Sequence, residues 1–254
     1  MIELHPMDID RSSVFTRERY MALRGAKETY AQVEGTAAFK ELLEEFGKLL
    51  NTAVGAEDLG VFLLHRHYAF GPGSIPLERR IPWGESGEYA LVTRATSDHL
   101  HEKVAPSRWQ YTPQSRLFEA LEYSTDPLAV DRWASLSSRR EVPAAAARIL
   151  EDSGLWPFLG LTIASRSSLP KRTGEIYLET SDSKAMASVV RVQTRGNSMG
   201  KGQIPTVWVP ITSCWCEDGM KCDAACIEEG SELGCSVIEH CEVPSGEHHV
   251  VPCV

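Results

Sequence analysis

The chain has 254 residues, 43% of them hydrophobic, and a net charge of −9. That is enough apolar material for one large domain or a domain with an appendage. No basic stripe is present to displace counterions from a phosphate backbone, and the acidic balance opposes docking on an anionic membrane surface, so nucleic-acid and membrane partners are not expected. The longest apolar run, "GLWPFLGLTIAS" at 154–165, falls short of the about 18 residues a spanning helix needs. The N-terminus "MIELHPMDIDRSS" has neither a basic start nor an apolar core, so a cytoplasmic protein is the expectation.

Residues 1–14 read as an irregular lead-in. Residues 15–33 place Tyr20, Leu23, Ala26, Tyr30 and Val33 at helical spacing. A second helix is marked by Phe39, Leu42, Leu43, Phe46, Leu49 and Leu50, with Thr36 as N-cap and Gly35 at the turn between the two. A strand, "LGVFLLHRHYAF", follows, closed by the turn "GPG" at 71–73. Further strands are predicted at 89–96, 104–111, 118–124, 159–165, 175–180, 187–193 and 206–211, with a helix at 143–152 that stops at Gly154. The loop "TRGNSMGKGQ" at 194–203 is one residue short of a phosphate-binding loop and has Gly202 where Ser or Thr should hold magnesium; it reads as a hairpin loop. Grouped helices and clustered strands predict an α+β fold, an N-terminal helical hairpin packed on a mainly antiparallel sheet. No internal repeat is visible.

In "LLHRHY" at 63–68, strand alternation places His65 and His67 on one face, about 6.5–7 Å apart, and Arg66 on the other, where a carboxylate partner is expected. Two buried imidazoles need two sets of partners, and their convergence suits either proton transfer or a metal. The ordinary alternative is a pair of core histidines bonded to carbonyls or carboxylates. Glu122 and Glu179 are candidate partners, Glu179 being taken as the third catalytic residue, with Trp109 and Tyr123 lining a substrate pocket. His99 and His101 offer a third metal ligand, though "SDHLHEK" reads as a loop.

All seven cysteines lie between Cys214 and Cys253, in a segment holding nine acids against Lys221 alone. The spacing C-x-C-x5-C-x3-C, in thiols expected to be reduced, points to structural zinc held by Cys214, Cys216, Cys222 and Cys226; free thiols and disulfides are the alternatives. The expected organisation is therefore a globular domain over 1–213 and an acidic Cys/His-rich appendage over 214–254.

"LLHRHY", with "VAPSRWQ", "FEALEYSTDP", "GEIYLETSDSKAMASVV" and the Cys/His-rich end, loosely resembles a group of small fungal proteins of unassigned function, over roughly residues 58–215. The resemblance implies that the two histidines belong to a shared pattern, and it implies no activity. The residues themselves favour an enzyme acting on a small molecule, of isomerase, cyclase or lyase type. One histidine would act as base and the other would polarise a carbonyl; a catalytic metal would turn the chemistry to hydrolysis or oxidation. The alternative is a non-catalytic, zinc-stabilised binding protein whose histidines are structural.

Overall fold

A computed structural model describes residues 15–52, 59–83, 88–96, 104–138, 141–164, 168–170, 172, 175–194, 203–210 and 220–227. Three helices lead: α1 (Arg17–Ala22), α2 (Ala26–Val33) and α3 (Ala37–Thr52). The single helix expected over 15–33 is thus two, with the chain extended at Leu23. Thr36 caps α3 as expected, its Oγ1 accepting from the Phe39 N–H at 3.2 Å. The apolar stripe Phe39, Leu42, Leu43, Phe46 and Leu50 is buried, each side chain contributing about 1.5–3 kcal/mol by leaving water.

Five strands follow: β1 (Leu59–Leu63), β2 (Ile75–Trp83), β3 (Glu88–Thr96), β4 (Ala105–Thr112) and β5 (Leu117–Ser124). Helices α4 (Pro127–Ser138) and α5 (Glu141–Ser153) come next, and Gly154, at φ 69°, ends α5 as its position suggested. The last five strands are β6 (Leu159–Ile163), β7 (Glu175–Asp182), β8 (Ala187–Thr194), β9 (Gln203–Pro210) and β10 (Met220–Ile227). Together the strands close a barrel in the order β1-β6-β4-β5-β2-β3-β8-β7-β10-β9. Among the described residues only β2–β5 and β7–β10 pair in parallel; the other pairings are antiparallel. A mixed, mainly antiparallel sheet with a few helices is what the sequence led one to expect.

Three details depart from the sequence reading. β10 completes the barrel between β9 and β7, so the barrel extends past the expected boundary at 213/214. Strands β8 and β9 do not pair with each other, so the 194–203 connection is not a hairpin; β7 and β10 lie between them. Strand β1 ends at Leu63, before the histidines.

The barrel is wired as two copies of one five-strand unit. Hairpins β2–β3 and β4–β5 are joined by the parallel pair β2–β5; hairpins β7–β8 and β9–β10 are joined by the parallel pair β7–β10. Each unit lends its first strand to the other, β1 pairing with β9 and β6 with β4. The register repeats as well. Trp109 lies opposite Leu161 and Ala120, while Trp208 lies opposite Val61 and Cys222. The β4–β5 ladder skips Ser107 and Leu121, and the β9–β10 ladder skips Thr206 and Asp223, so even the bulges correspond. Gly60 and Gly160 occupy equivalent places in β1 and β6, each with its Cα hydrogens against the carbonyl of the neighbouring strand's tryptophan.

Alternation along the strands divides two cores. Val61, Leu63, Trp109, Leu161 and Trp208 pack outward, with α2, α3 and α5. Phe62, Leu64, Leu121, Tyr177, Val190 and Val207 pack with Tyr20, Tyr68 and Phe70 in the barrel interior. That interior also holds charge.

Candidate functional site

After Leu63 the backbone leaves the sheet because its donors find other partners. The Leu64 N–H donates to the Phe158 carbonyl and the Arg66 N–H to the Arg24 carbonyl, both at 2.8 Å. The His67 N–H reaches the Tyr20 hydroxyl at 3.3 Å. Residues 64–70 thus run beneath α1, which Arg17 ties down by donating twice to the Phe70 carbonyl at 2.6 and 2.8 Å. Among the described residues Arg66 meets no carboxylate, contrary to expectation: its Nη1 donates to the Met21 carbonyl at 2.6 Å.

Although they stand outside the strand, the histidines converge, with ring centroids 4.5 Å apart in an edge-on arrangement at 74°. The barrel supplies three partners. Arg108 on β4, Glu122 on β5 and Glu179 on β7 are all buried. Arg108 Nη1 lies 2.9 Å from Glu122 Oε2, and its Nη2 lies 3.3 Å from Glu179 Oε2. His67 Nε2 lies 3.2 Å from Glu122 Oε1 and 3.4 Å from Glu179 Oε1. The result is a closed ring, Arg108–Glu122–His67–Glu179, with two cations and two anions alternating. Ser188 Oγ donates to Glu179 Oε1 at 2.9 Å, and Ser181 Oγ sits 3.1 Å from His67 Nδ1.

The two imidazoles are driven apart by this setting. Burial lowers the His67 pKa, but Glu179 and Glu122 outweigh it and raise the value above 6.5, which favours the imidazolium between the two carboxylates. Burial and the neighbouring His67 depress His65 to about 3. His65 is therefore neutral, and its Nδ1–H donates to the Leu63 carbonyl at 2.7 Å. That bond fixes the tautomer and leaves the Nε2 lone pair free. Nε2 is buried with no hydrogen-bond partner among the described residues, and so is the Tyr68 hydroxyl. Burial works against the Glu122 and Glu179 carboxylates, yet Arg108 and His67 hold both below the usual range.

No protein-family model, curated protein or solved structure matches the chain. Its chemistry has to be read from the site.

His65, His67 and Glu179, the three residues expected to be catalytic, are brought together, their donor atoms within 4.8 Å of one another. Two histidines and a carboxylate are a familiar metal-binding set. Here, however, Arg108 Nη1 stands 2.9 Å from His67 Nε2 and Arg108 also holds the second oxygen of Glu179, so a divalent cation would share its cage with a guanidinium. The donor set fits a metal in type and not in charge; the arrangement favours proton handling. The expected substrate-binding pair is elsewhere. Trp109 stacks on Trp133 of α4, centroids 5.4 Å apart, and both Trp109 and Tyr123 belong to the outer core. Outward-facing aromatics serve helix packing, and the skipped residues at the β4–β5 bulges set which side chains turn inward. His99, His101, Cys214 and Cys216 lie outside the described residues. Cys222 and Cys226 lie on β10, in register with Trp208 and Ile204.

Sequence reasoning assigned no role to Arg108, Tyr68, Ser181 or Ser188. One signal for Arg108 was available: a single arginine between small and aromatic residues in "APSRWQYT", where a buried charge demands carboxylates.

The internal two-fold relation places a comparison inside the same chain. The positions equivalent to Arg108 and Glu122 are Val207 and Ala224; Glu78 is the equivalent of Glu179. In the sequence, Ser165, Ser167 and Ser168 stand 100 residues after His65, His67 and Tyr68.

Proposed function

We propose that the protein is an enzyme acting on a small molecule, by proton transfer of isomerase, cyclase or lyase type, inside the barrel. His65 Nε2 is the proton acceptor. His67 stays within the ring with Glu179, Glu122 and Arg108, and its charge sets the field at His65. One observation carries this reading: the barrel's own second unit fills the equivalent positions with Val207 and Ala224. Burying an ion costs several kcal/mol even in good company, and apolar replacements of buried ion networks are often neutral or stabilising. A barrel that places valine and alanine at the equivalent register positions does not need arginine and glutamate on the other side in order to fold. Charges of this kind are expected where chemistry needs them.

The second reading, a non-catalytic binding protein with structural histidines, draws on the ring's self-sufficiency: its side chains are 0–4% exposed and satisfy one another. One variant separates the two. Copying the second unit into the first, as His65→Ser, His67→Ser, Arg108→Val and Glu122→Ala, together with Glu179→Gln so that no carboxylate of the ring is left without a cation, should give a folded barrel with a Tm within about 5 °C of the parent if the cluster is functional, since neutral replacements of buried ion networks are often neutral or stabilising. The four-residue variant that keeps Glu179 should be less stable, its carboxylate having lost both cations. Failure of the five-residue variant to fold would make the cluster structural.

The tail carries a separate proposal. Zinc held by Cys214, Cys216, Cys222 and Cys226 is supported by spacing alone. Such a site would clip the β9–β10 connection, because Cys214 and Cys216 lie in it and the other two lie on β10.

A further inference from the structure

Everything the acid–base reading needs is shut away. His65 is 1% exposed and His67 7%, and Arg108, Glu122 and Glu179 are buried as deeply. The wall offers no way in, because each strand of the closed barrel is hydrogen-bonded to a neighbour on either side. A small molecule therefore reaches His65 only past an end of the barrel. The histidines stand at the end where β1 stops, and α1 lies over them. The way α1 is held sets it apart from the other helices. Helices α2, α3 and α5 share an apolar core with the wall. Helix α1 has six residues, too few to be stable alone, and Thr16 gives it no side-chain cap. Its grip consists of one aromatic plug and three arginines. Tyr20, fully buried, packs on Phe70 and Phe15 with ring centroids 5.2 and 6.2 Å apart, and its hydroxyl accepts from the His67 N–H. Arg17 donates twice to the Phe70 carbonyl, and Arg66 donates to the Met21 carbonyl. Arg19 reaches the β4–β5 hairpin, its Nε 2.6 Å from Glu119 Oε2 and its Nη1 donating to Thr112 Oγ1. All three arginines are half-buried, so water takes over their bonds when these break. Behind α1 the chain is extended at Leu23 and again at Gly25, which gives a joint before α2.

We propose that α1 is a lid: residues 15–22 swing about the joint at 23–25, withdraw Tyr20 from the barrel end and open the route by which a small molecule reaches His65. The purpose of the lid rests on the acid–base reading above; its motion is measurable without any substrate. Elements held by a few side-chain bonds open locally at far lower cost than the whole domain unfolds. Closure returns Tyr20 to the His67 N–H and shuts water out of the charged ring, as lids over reacting groups do. The clasp residues Arg17, Arg19 and Arg66 set how often the lid opens, and none of them belongs to the ring.

The test uses the full chain and diethyl pyrocarbonate, which modifies unprotonated imidazole nitrogens such as Nε2 of His65. Modification of His65 is followed by mass spectrometry of its peptide, and amide exchange of Leu64 and His67 by NMR. In the wild type His65 should react slowly, at a rate that does not change in urea well below the unfolding transition. Arg17→Met and Arg66→Met keep the side-chain stem and remove the donor. Each should speed the reaction by about tenfold or more, the worth of one charged hydrogen bond in the opening equilibrium. Exchange of the His67 amide, bonded to Tyr20, should quicken with it, while the Leu64 amide, bonded to the Phe158 carbonyl, stays protected. Phe46→Leu, which weakens the outer core away from the lid, should leave the His65 rate unchanged. The lid is overturned if neither arginine variant changes the rate, or if the wild-type rate rises only in step with global unfolding. It is equally overturned if Phe46→Leu speeds the reaction as much as Arg17→Met, or if wild-type His65 reacts as fast as free imidazole. These rates do not depend on catalysis, so failure of the acid–base reading, seen in the folding of the five-residue variant, is a separate result.

Discussion

Arg108 Nη1 lies 2.9 Å from Nε2 of His67, two nitrogens at hydrogen-bonding distance. With the imidazole protonated both are donors, and the contact is held only because Glu122 and Glu179 bridge the pair from either side. Arg108 lowers the His67 pKa against the carboxylates that raise it, so histidine and arginine compete for the same anions.

Removing Arg108 therefore has two effects. Arg108→Met leaves two buried carboxylates with one cation, which should destabilise the fold by about 3–5 kcal/mol. It should also raise the His67 pKa further. Arg108→Val with Glu122→Ala removes one charge of each sign and should recover most of the loss. Urea denaturation of the single and double variants gives the coupling, and NMR titration of the imidazole carbons gives the pKa. Additive losses would show that the ring is not one unit.

The histidines also give stability a maximum in pH. His67 has a raised folded value, so its contribution is complete below the unfolded value of about 6.5 and is lost as pH rises through the folded value. His65 has a depressed folded value, so its unfolded form takes up the extra proton. Stability is then lost as pH falls from about 6.5 toward 3. Glu122 and Glu179, with depressed values, add to the acid limb below their unfolded range. Each histidine changes stability by at most about 1.4 kcal/mol per pH unit. Denaturation midpoints should peak near pH 6.5, His65→Gln should flatten the limb just below it, and His67→Gln the limb above. A profile unchanged by either substitution would contradict the assigned protonation states.

Much of the fold was legible because period-2 patterning and a capped helix are local signals. β2 was missed because Pro76, Pro82 and the run Glu78–Arg80 mask its alternation, and β10 because it sits among cysteines and acids. The duplication was invisible for a physical reason. Gly60 and Gly160 are 100 residues apart, Trp109 and Trp208 are 99, and Glu78 and Glu179 are 101, so no single period aligns them. Only a barrel, where register is set by pairing across the sheet, brings the copies into correspondence. The site was legible in part. The HRH spacing found the histidines for an incorrect reason, since they converge by leaving the strand, and Arg108 was hidden because its partners are 14 and 71 residues away.

The paired glycines offer a direct check on the two-fold architecture. A Cβ on Gly60 would sit 2.7 Å from the Trp208 carbonyl oxygen, and one on Gly160 would sit closer still to the Trp109 carbonyl oxygen. In both places the obstacle is backbone, which cannot swing aside. Gly60→Ala should cost about 1–3 kcal/mol by overpacking, and Gly160→Ala more. Thermal unfolding of the two variants measures this; equal stability of Gly160→Ala and the parent would deny the close approach of β6 to β4.

The tail prediction turns on charge. Four thiolates and nine acids in one short segment repel unless a cation joins them, and zinc binding to thiolates is coupled to folding. Protein purified without chelator should carry about one zinc ion per chain, and most thiols should react only after chelation. Since β10 closes the barrel between β9 and β7, chelation should also lower the Tm of the whole domain rather than free a tail alone. Alanine at Cys214 and Cys216 should reproduce both effects. Zinc loss with no change in Tm would place the metal away from the barrel, and fully reactive thiols before chelation would exclude the site.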